Sequence, residues 1–323
     1  MLVSVWITTY NHEKYIAQAI EGVLSQVTDF DYEIIIGEDC SQDSTRAIVM
    51  AYKEKYPDKI NLFLPPQNLG MNPMFHQTYA MCKGKYLAWL DGDDYWTSNH
   101  KLQQQVDYLE SHPEVVMCFH RVDMINEISN TLYESGDPLM GADSILTEDH
   151  FLDAINPVYT PSVVHRNILS KELPSWFFKL PFPDLGFYFL LLQHGKIKFL
   201  SENMGAYRIH RAGAFQGNSH YNNVNKFIVF FETFFAHAAG SNKNKVSLAI
   251  CKLSLQALFT NLKNGNYLEV KKNLSSLRYH RFRGIIRHEW LLVRSALLLV
   301  FKYPFMVIRA SGSPVHPEEL VKV

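Results

Sequence analysis

Two kinds of apolar pattern alternate along the first part of the chain. Leu2 to Thr8, LVSVWIT, is an unbroken β-rich run and predicts a strand buried on both faces. Ile16, Ala19, Ile20, Val23, Leu24 and Val27 then recur at helical spacing and predict an amphipathic helix. Glu33 to Asp39, EIIIGED, repeats the strand pattern. Ser41 is placed to cap a helix that carries Ile48, Ala51, Tyr52 and Tyr56 and stops at Pro57. INLFL predicts a third strand, PPQNLG a turn, Met74 to Cys82 a helix and Lys85 to Leu90 a fourth strand. This β-α-β-α-β-α-β order predicts an α/β fold, a mainly parallel sheet with helices on both faces.

Farther on the alternation loosens. KLQQQVDYLESHP reads as helix and EVVMCFHRVD as strand, whereas residues 124–156 keep no period and are expected to be irregular. PSVVHR returns to strand. Asp184 to Gly195, DLGFYFLLLQHG, predicts a buried helix closed by glycine, and KIKFL and GAYRIH predict two short strands. After the loop-like RAGAFQGNSHYNN, the pattern is helical from Tyr221 to Arg309 and then becomes a polar tail. No repeat or low-complexity tract interrupts this order.

Composition narrows the picture only a little. A chain of 323 residues, 47% hydrophobic and 20% charged, has the make-up of an ordinary globular protein with ample core. A formal charge of −1 offers no global attraction to nucleic acid, and none is expected as a partner. The four cysteines, Cys40, Cys82, Cys118 and Cys251, lack metal-ligand spacing and read as reduced thiols. MLVSVWITTYNHEKYI has no basic leader, and no apolar run reaches the ~20 residues of a spanning helix. The expected location is the cytoplasm.

Chemistry enters at the strand ends, where open α/β sheets bind ligands. TTYNHE follows the first strand, GEDCS the second and LDGDD the fourth, so residues remote in sequence meet along one sheet edge. Neither a Gly-x-Gly-x-x-Gly nor a Gly-Lys-Ser/Thr fingerprint is present. Asp91, Asp93 and Asp94 crowd three carboxylates around Gly92. Two readings stand for them: a solvated turn with Asp94 capping the next helix, or a divalent-ion site completed by phosphates and water.

SVWITTYNHEKYIAQAIEGVLSQ, YEIIIGEDCSQDSTRAIV, NLGMNPMFHQTYAMCKGKYLAWLDGDDYW and KLQQQVDYLESHPEV together resemble bacterial family 2 glycosyltransferases over about the first 125 residues. A weaker likeness resumes at PDLGFYFLLLQHGKIKFLSENMGAYRIHRAGA. The resemblance implies a GT-A, Rossmann-like fold and inverting, metal-dependent transfer from a nucleotide sugar in polysaccharide or cell-surface glycan synthesis. It implies a domain over residues 1–218, with a donor half to about 125 and an acceptor half beyond, followed by a helical region over 219–323. Thr9, Tyr10 and Asn11 correspond to the loop that embraces the nucleoside. Asp39 matches the base-binding aspartate, and Asn68 lies beside the nucleotide. Asp91 would face ribose or sugar, Asp93 would ligate Mn2+ or Mg2+, and Asp94 would support them from behind. Arg208 and His210 would approach the diphosphate, His210 also completing the metal shell. The arginine that some relatives carry beyond the Asn-x-Gly segment is missing from MNPMFHQ.

Asp184 corresponds to the general base, although Pro183 replaces the residue usual before it. As a second reading Asp184 simply caps its helix, and His210 is a packed strand-end histidine. The expected partners are a UDP-sugar and a glycan or lipid-linked glycan acceptor. Between Lys271 and Arg309 nine bases face one acid, Glu289, among aromatic and aliphatic residues. Such a segment suits an anionic membrane surface on the inner face of the cell membrane, or packs on the body or a second copy. Two other functions share these features: a sugar nucleotidyltransferase, which typically carries a basic glycine-rich loop after strand one, and a non-catalytic nucleotide-sugar-binding relative.

Overall fold

In the computed structural model the apolar run at the start of the chain becomes strand β1 (Val3–Thr9), the centre of the sheet. The structure describes residues 1–135, 144–154, 156–213, 220–237, 242–263 and 266–284. Helix α1 (Ile16–Leu24), strand β2 (Tyr32–Glu38), helix α2 (Thr45–Lys55) and strand β3 (Ile60–Phe63) follow. Helix α3 (Met71–Met81), strands β4 (Tyr86–Asp91) and β5 (Tyr95–Trp96), and helix α4 (Lys101–Ser111) complete the first half. Then come β6 (Val115–Asn126), β7 (Thr131–Glu134), β8 (Ile145–Leu146), α5 (Glu148–Ala154), β9 (Val164–Arg166), α6 (Asp184–Leu192) and β10 (Lys196–Ile209).

The strand order is β3-β2-β1-β4-β9-β6-β10-β5. β1 pairs in parallel with both β2 and β4, so the chain winds outward in two directions from it. The crevice beyond its carboxyl end is therefore the topological switch point, where such sheets take ligands. β9 lies antiparallel between β4 and β6, and β5 antiparallel on β10. The parallel winding thus belongs to the first four long strands and the β6–β10 pair.

Alternation sorts the residues of β1 between two different layers. Val3, Val5 and Ile7 pack with Ile34, Ile36, Ala88 and Leu90 under α1, α2 and α4. Trp6 points the other way, stacking on Trp89 at 5.0 Å and meeting Phe75 of α3 and Phe187 of α6. Its indole N–H donates to Thr78 Oγ1 at 2.6 Å. Such aromatic pairs contribute about 0.5–1.5 kcal/mol each beyond burial. α6 thereby covers the sheet face that carries Trp89 and, one repeat farther, Asp91.

Several expectations differ from what forms: Val27, for one, lies past the end of α1 and is exposed. Ser41 does not cap α2: its hydroxyl accepts the Asn11 amide at 2.9 Å, while Asp43 Oδ1 accepts the Thr45 amide at 2.9 Å. KIKFL and GAYRIH are one strand, β10, whose register slips between Leu200 and Gly205. The bulges absorb the polar SEN segment that broke the apolar pattern. Within 124–156, β6 runs on to Asn126, and β7, β8 and α5 follow; residues 136–143 and 155 lie outside the described residues.

Residues 1–218 form one compact unit and the chain from 219 another. In the second, α7 (His220–Phe235), α8 (Asn242–Lys263) and α9 (Tyr267–Gly284) are helical. Cys251, Leu258, Val270 and Leu277 form the core between α8 and α9. No helix among the described residues is long and apolar enough to cross a membrane. The basic, aromatic stretch expected to touch a membrane or a second copy lies mostly past residue 284, outside the described residues.

Candidate active site

The register that aligns β1 with its neighbours sets Thr8 opposite Asp91 and Thr9 opposite Glu38. All the polar strand ends therefore meet at the switch point. The chain turns there within Asp91–Asp94, with the Asp94 amide donating to Asp91 O at 3.0 Å. Gly92 is required by close approach: a Cβ on it would lie 2.5 Å from Thr9 Oγ1. Its amide donates to Thr8 O at 2.9 Å, which locks the turn onto β1.

The three carboxylates take three different environments. Asp91 accepts hydrogen bonds from Thr8 Oγ1 at 3.2 Å and Thr160 Oγ1 at 2.6 Å. Asp94 is buried, its Oδ1 accepting the Arg208 amide at 2.8 Å, so it caps no helix. Asp93 Oδ2 lies 3.0 Å from His210 Nε2 and 3.7 Å from His12 Nε2. β5 carries the turn onto β10 by pairing Tyr95 with Ala206, and this brings Arg208 and His210 to the aspartates.

Electrostatics follows from that arrangement. Burial, reinforced by the charge of Asp93, pushes the Asp91 carboxyl up to about 7. Burial raises Asp94 well above the ordinary range, with Asp93 and Asp91 adding to it. Burial acts on Asp93 in the same sense, but His12 and His210 outweigh it and hold that carboxyl low. Burial also lowers the His12 imidazole by more than Asp93 raises it. Burial and mutual repulsion thus press Asp91 and Asp94 toward their protonated forms and leave Asp93 as the carboxylate held ionised.

Arg208, expected to approach the diphosphate, makes several contacts within the protein. Its guanidinium lies between the rings of Tyr15 and Tyr95, centred 5.0 and 4.5 Å away, and donates to Asp93 O and to Gln18 Oε1. Glu127 Oε1 lies 3.8 Å from its Nε. The side chain is 7% exposed, and its guanidinium joins the Asp91–Asp94 turn to α1 through Asp93 O and Gln18.

Asp184 opens α6, the helix laid on the Trp89 face, and so reaches the same crevice. Its Oδ2 accepts the Asn156 side-chain amide at 2.7 Å, while its buried Oδ1 has no partner. Burial pushes its carboxyl up to about 6. Its charge adds to the raising of Asp91, so the two groups sense each other. One turn along α6, the Tyr188 hydroxyl is buried without a partner, held protonated by burial and by Asp184 and Asp91.

The flanking loops are held in unusual backbone. Asn11 and Cys40 have φ of 56° and 57°, the left-handed region. Asn11 Oδ1 accepts the Gln42 amide at 2.8 Å, joining the first and second loops, and Thr9 Oγ1 is buried without a partner. Tyr10 is exposed. Asp39 is tied to the third loop: its two oxygens accept the Leu69 and Gly70 amides at 2.7 and 2.9 Å. Burial raises its carboxyl despite both bonds. Asn68 donates to Asp39 O at 2.9 Å, so these two predicted residues do come together.

Every predicted site residue thus falls in one unit. Sequence reasoning missed four that the geometry adds: His12, Thr160, Asn156 and Tyr188. His12 stood in view inside TTYNHE, but only the fold reveals that it faces Asp93. One ligand atom from each of His12, Asp93 and His210 lies within 4.8 Å of the other two, a donor set that suits a divalent transition metal.

A sheet wound both ways from β1, aspartates at its switch point and antiparallel strands beyond define a GT-A fold. The profile of glycosyl transferase family 2 matches residues 4–169, and the chain belongs to that family. An uncharacterised Mycobacterium tuberculosis protein, Rv1520, is 35% identical over 223 residues, 68% of this chain and 61% of that one. The chain thus spans about 61% of the length of the mycobacterial relatives it matches. An uncharacterised glycosyltransferase of Nostoc, alr2836, is 27% identical over 94% of this chain and 90% of its own length. Among solved structures, mannosyltransferase PcManGT of Pyrobaculum calidifontis, in complex with GDP-Man and Mn2+, matches at a TM-score of 0.54. It is 14% identical, over 96% of this chain and 83% of that one, and supports the fold.

Proposed function

We propose that the protein transfers a sugar from a nucleoside diphosphate sugar to an acceptor hydroxyl, inverting the anomeric centre in one displacement. The observation that carries the reading is Asp184. One oxygen is held by Asn156, the other has no partner, and a pKa near 6 leaves the group ionised at neutral pH yet more basic than an exposed carboxylate. A base of that kind accepts the acceptor's proton as its oxygen attacks carbon. Family membership supports the same class of reaction.

Each remaining group has a task on the donor. The loops at Thr9 to Asn11, Asp39 and Asn68 flank the nucleoside, with Asp39 also fixing the turn that carries Asn68. Thr8 and Thr160 orient Asp91 toward ribose or sugar, and Arg208 and Asp94 hold the turn that presents Asp93. Asp93 and His210 fit a divalent ion, Mn2+ or Mg2+, which when bound neutralises charge on the departing diphosphate. Holding donor and acceptor in line replaces an entropic cost of up to ~7–11 kcal/mol. The acceptor we assign is a glycan or lipid-linked glycan, matching the basic, aromatic end of the sequence.

Release of nucleoside diphosphate decides the reading. Incubation with UDP- and GDP-sugars, Mn2+ and hydroxyl acceptors should release diphosphate only when acceptor is present, with the product anomer inverted by NMR. Pyrophosphate release from a nucleoside triphosphate and sugar phosphate would instead mark a nucleotidyltransferase. Binding of donor without release for any acceptor would mark a non-catalytic relative.

A further inference from the structure

Metal sites that serve nucleotides commonly offer one or two protein carboxylates and leave the other positions to phosphate and water. A third protein ligand changes what such a site can do alone. Here the turn after β4 supplies Asp93 and the end of β10 supplies His210, and the loop after β1 brings a second imidazole to the same carboxylate oxygen. His12 Nε2 lies 3.7 Å from Asp93 Oδ2, and the three donor atoms fall within 4.8 Å of one another. Metal–ligand bonds of ~2.0–2.2 Å put neighbouring ligand atoms about 3 Å apart, so small side-chain shifts close the set.

His12 is also held in place by contacts unrelated to Asp93. Its amide donates to Thr45 Oγ1 at 2.8 Å, at the start of α2. Its carbonyl accepts the Tyr15 and Ile16 amides, each at 2.9 Å, where α1 begins. The ring packs against Tyr15, and its Nδ1 approaches Gly92 closely enough that a Cβ there would lie 3.1 Å away. Backbone and packing therefore aim this imidazole into the crevice before any ligand arrives.

We propose that His12 is a third protein ligand, so that the chain holds a divalent ion before the donor binds and selects a nitrogen-accepting transition metal over Mg2+. The inference rests on the transferase reading and specifies its metal. Two imidazoles with one carboxylate suit Mn2+, Co2+, Ni2+ or Zn2+, whereas Mg2+ prefers oxygen ligands and releases water reluctantly. Three positions of an octahedron remain for diphosphate oxygens and water.

Mn2+ titration of the full chain without nucleotide, read from the spin-resonance signal of the free ion, tests this. Wild type should bind one ion, His12→Ala should weaken binding at least about tenfold, and excess Mg2+ should displace it poorly. Nitrogen spin-echo modulation of bound Mn2+ should report two imidazoles in wild type, a readout that requires no variant to fold. One imidazole, or a His12→Ala affinity equal to wild type, would overturn the proposal. So would Mn2+ binding that appears only with UDP or GDP. In each case the transferase reading survives if Asp93→Ala loses Mn2+-dependent nucleotide binding, and it fails if that variant binds like wild type.

Discussion

The two ends of one sheet are built on opposite rules. At the amino ends of β1, β2 and β4, Ser4 Oγ donates to Glu33 Oε1 at 2.6 Å and accepts the Gly84 amide at 2.8 Å. Asn61 reaches the other Glu33 oxygen at 3.3 Å, and the Lys83 amide also joins the network. At the carboxyl ends, Thr9 Oγ1, His12 Nδ1, Asp94 Oδ2 and Asp184 Oδ1 are buried without partners. Buried polar groups are ordinarily satisfied, and leaving one bare costs about 1–3 kcal/mol. The closed end is satisfied by the protein's own hydrogen bonds, and at the open end these four atoms find none.

The largest effect that separates the ends should come from Asp93→Ala. Losing several kcal/mol of ion-mediated stabilisation corresponds to a fall of about 10³-fold or more in transfer, measured as acceptor-dependent diphosphate release. Next comes Gly92→Ala. Its methyl would meet Thr9 Oγ1 at 2.5 Å, and a strain of about 1–3 kcal/mol should weaken donor affinity about 10- to 100-fold. Donor titration by calorimetry checks it.

Much of this contrast was legible before the fold was known. Unbroken apolar runs separated by helical spacing announce β1 to β4, because strands buried on both faces cannot alternate. Asp91, Asp93 and Asp94 stand out because like charges at a strand end need a reason. What stayed hidden depends on contacts distant in sequence. His12 meets Asp93 only once β1 and β4 pair. Thr160 and Asn156 lie in a stretch without period, and nothing local marks them as partners of Asp91 and Asp184. The contacts of Arg208 with Gln18, Tyr15 and Tyr95 likewise join residues far apart in the chain, and no local pattern marks them. The polar SEN segment concealed that β10 is continuous, since bulges leave no apolar signature.

The open end should also lower stability in a pH-dependent way. Burial raises Asp184 from its ordinary 3.8 to about 6, so the folded state holds the proton more tightly than the unfolded chain. The resulting penalty is absent below pH ~4 and complete above pH ~6, at about 3 kcal/mol. Asp184→Asn should therefore unfold at higher temperature than wild type near pH 7.5, and the gap should vanish near pH 4. For the same reason, kcat/KM of wild type should rise about tenfold per pH unit below 6 and level off above it.

The smallest effect on function belongs to the closed end. Ser4→Ala strips the Gly84 and Lys83 amides of an acceptor and should cost about 1–3 kcal/mol in chemical denaturation. Its kcat and donor affinity should match wild type. Loss of donor binding in Ser4→Ala would erase the distinction between the ends.

The most direct test is the turnover of Asp184→Asn beside its donor affinity. The substitution keeps size and shape but removes the carboxylate's charge and with it the ability to take a proton. The account predicts a kcat lower by about 10²- to 10⁴-fold with donor affinity at the wild-type value. Wild-type turnover in Asp184→Asn would contradict it, since the acceptor's proton would then leave by another route.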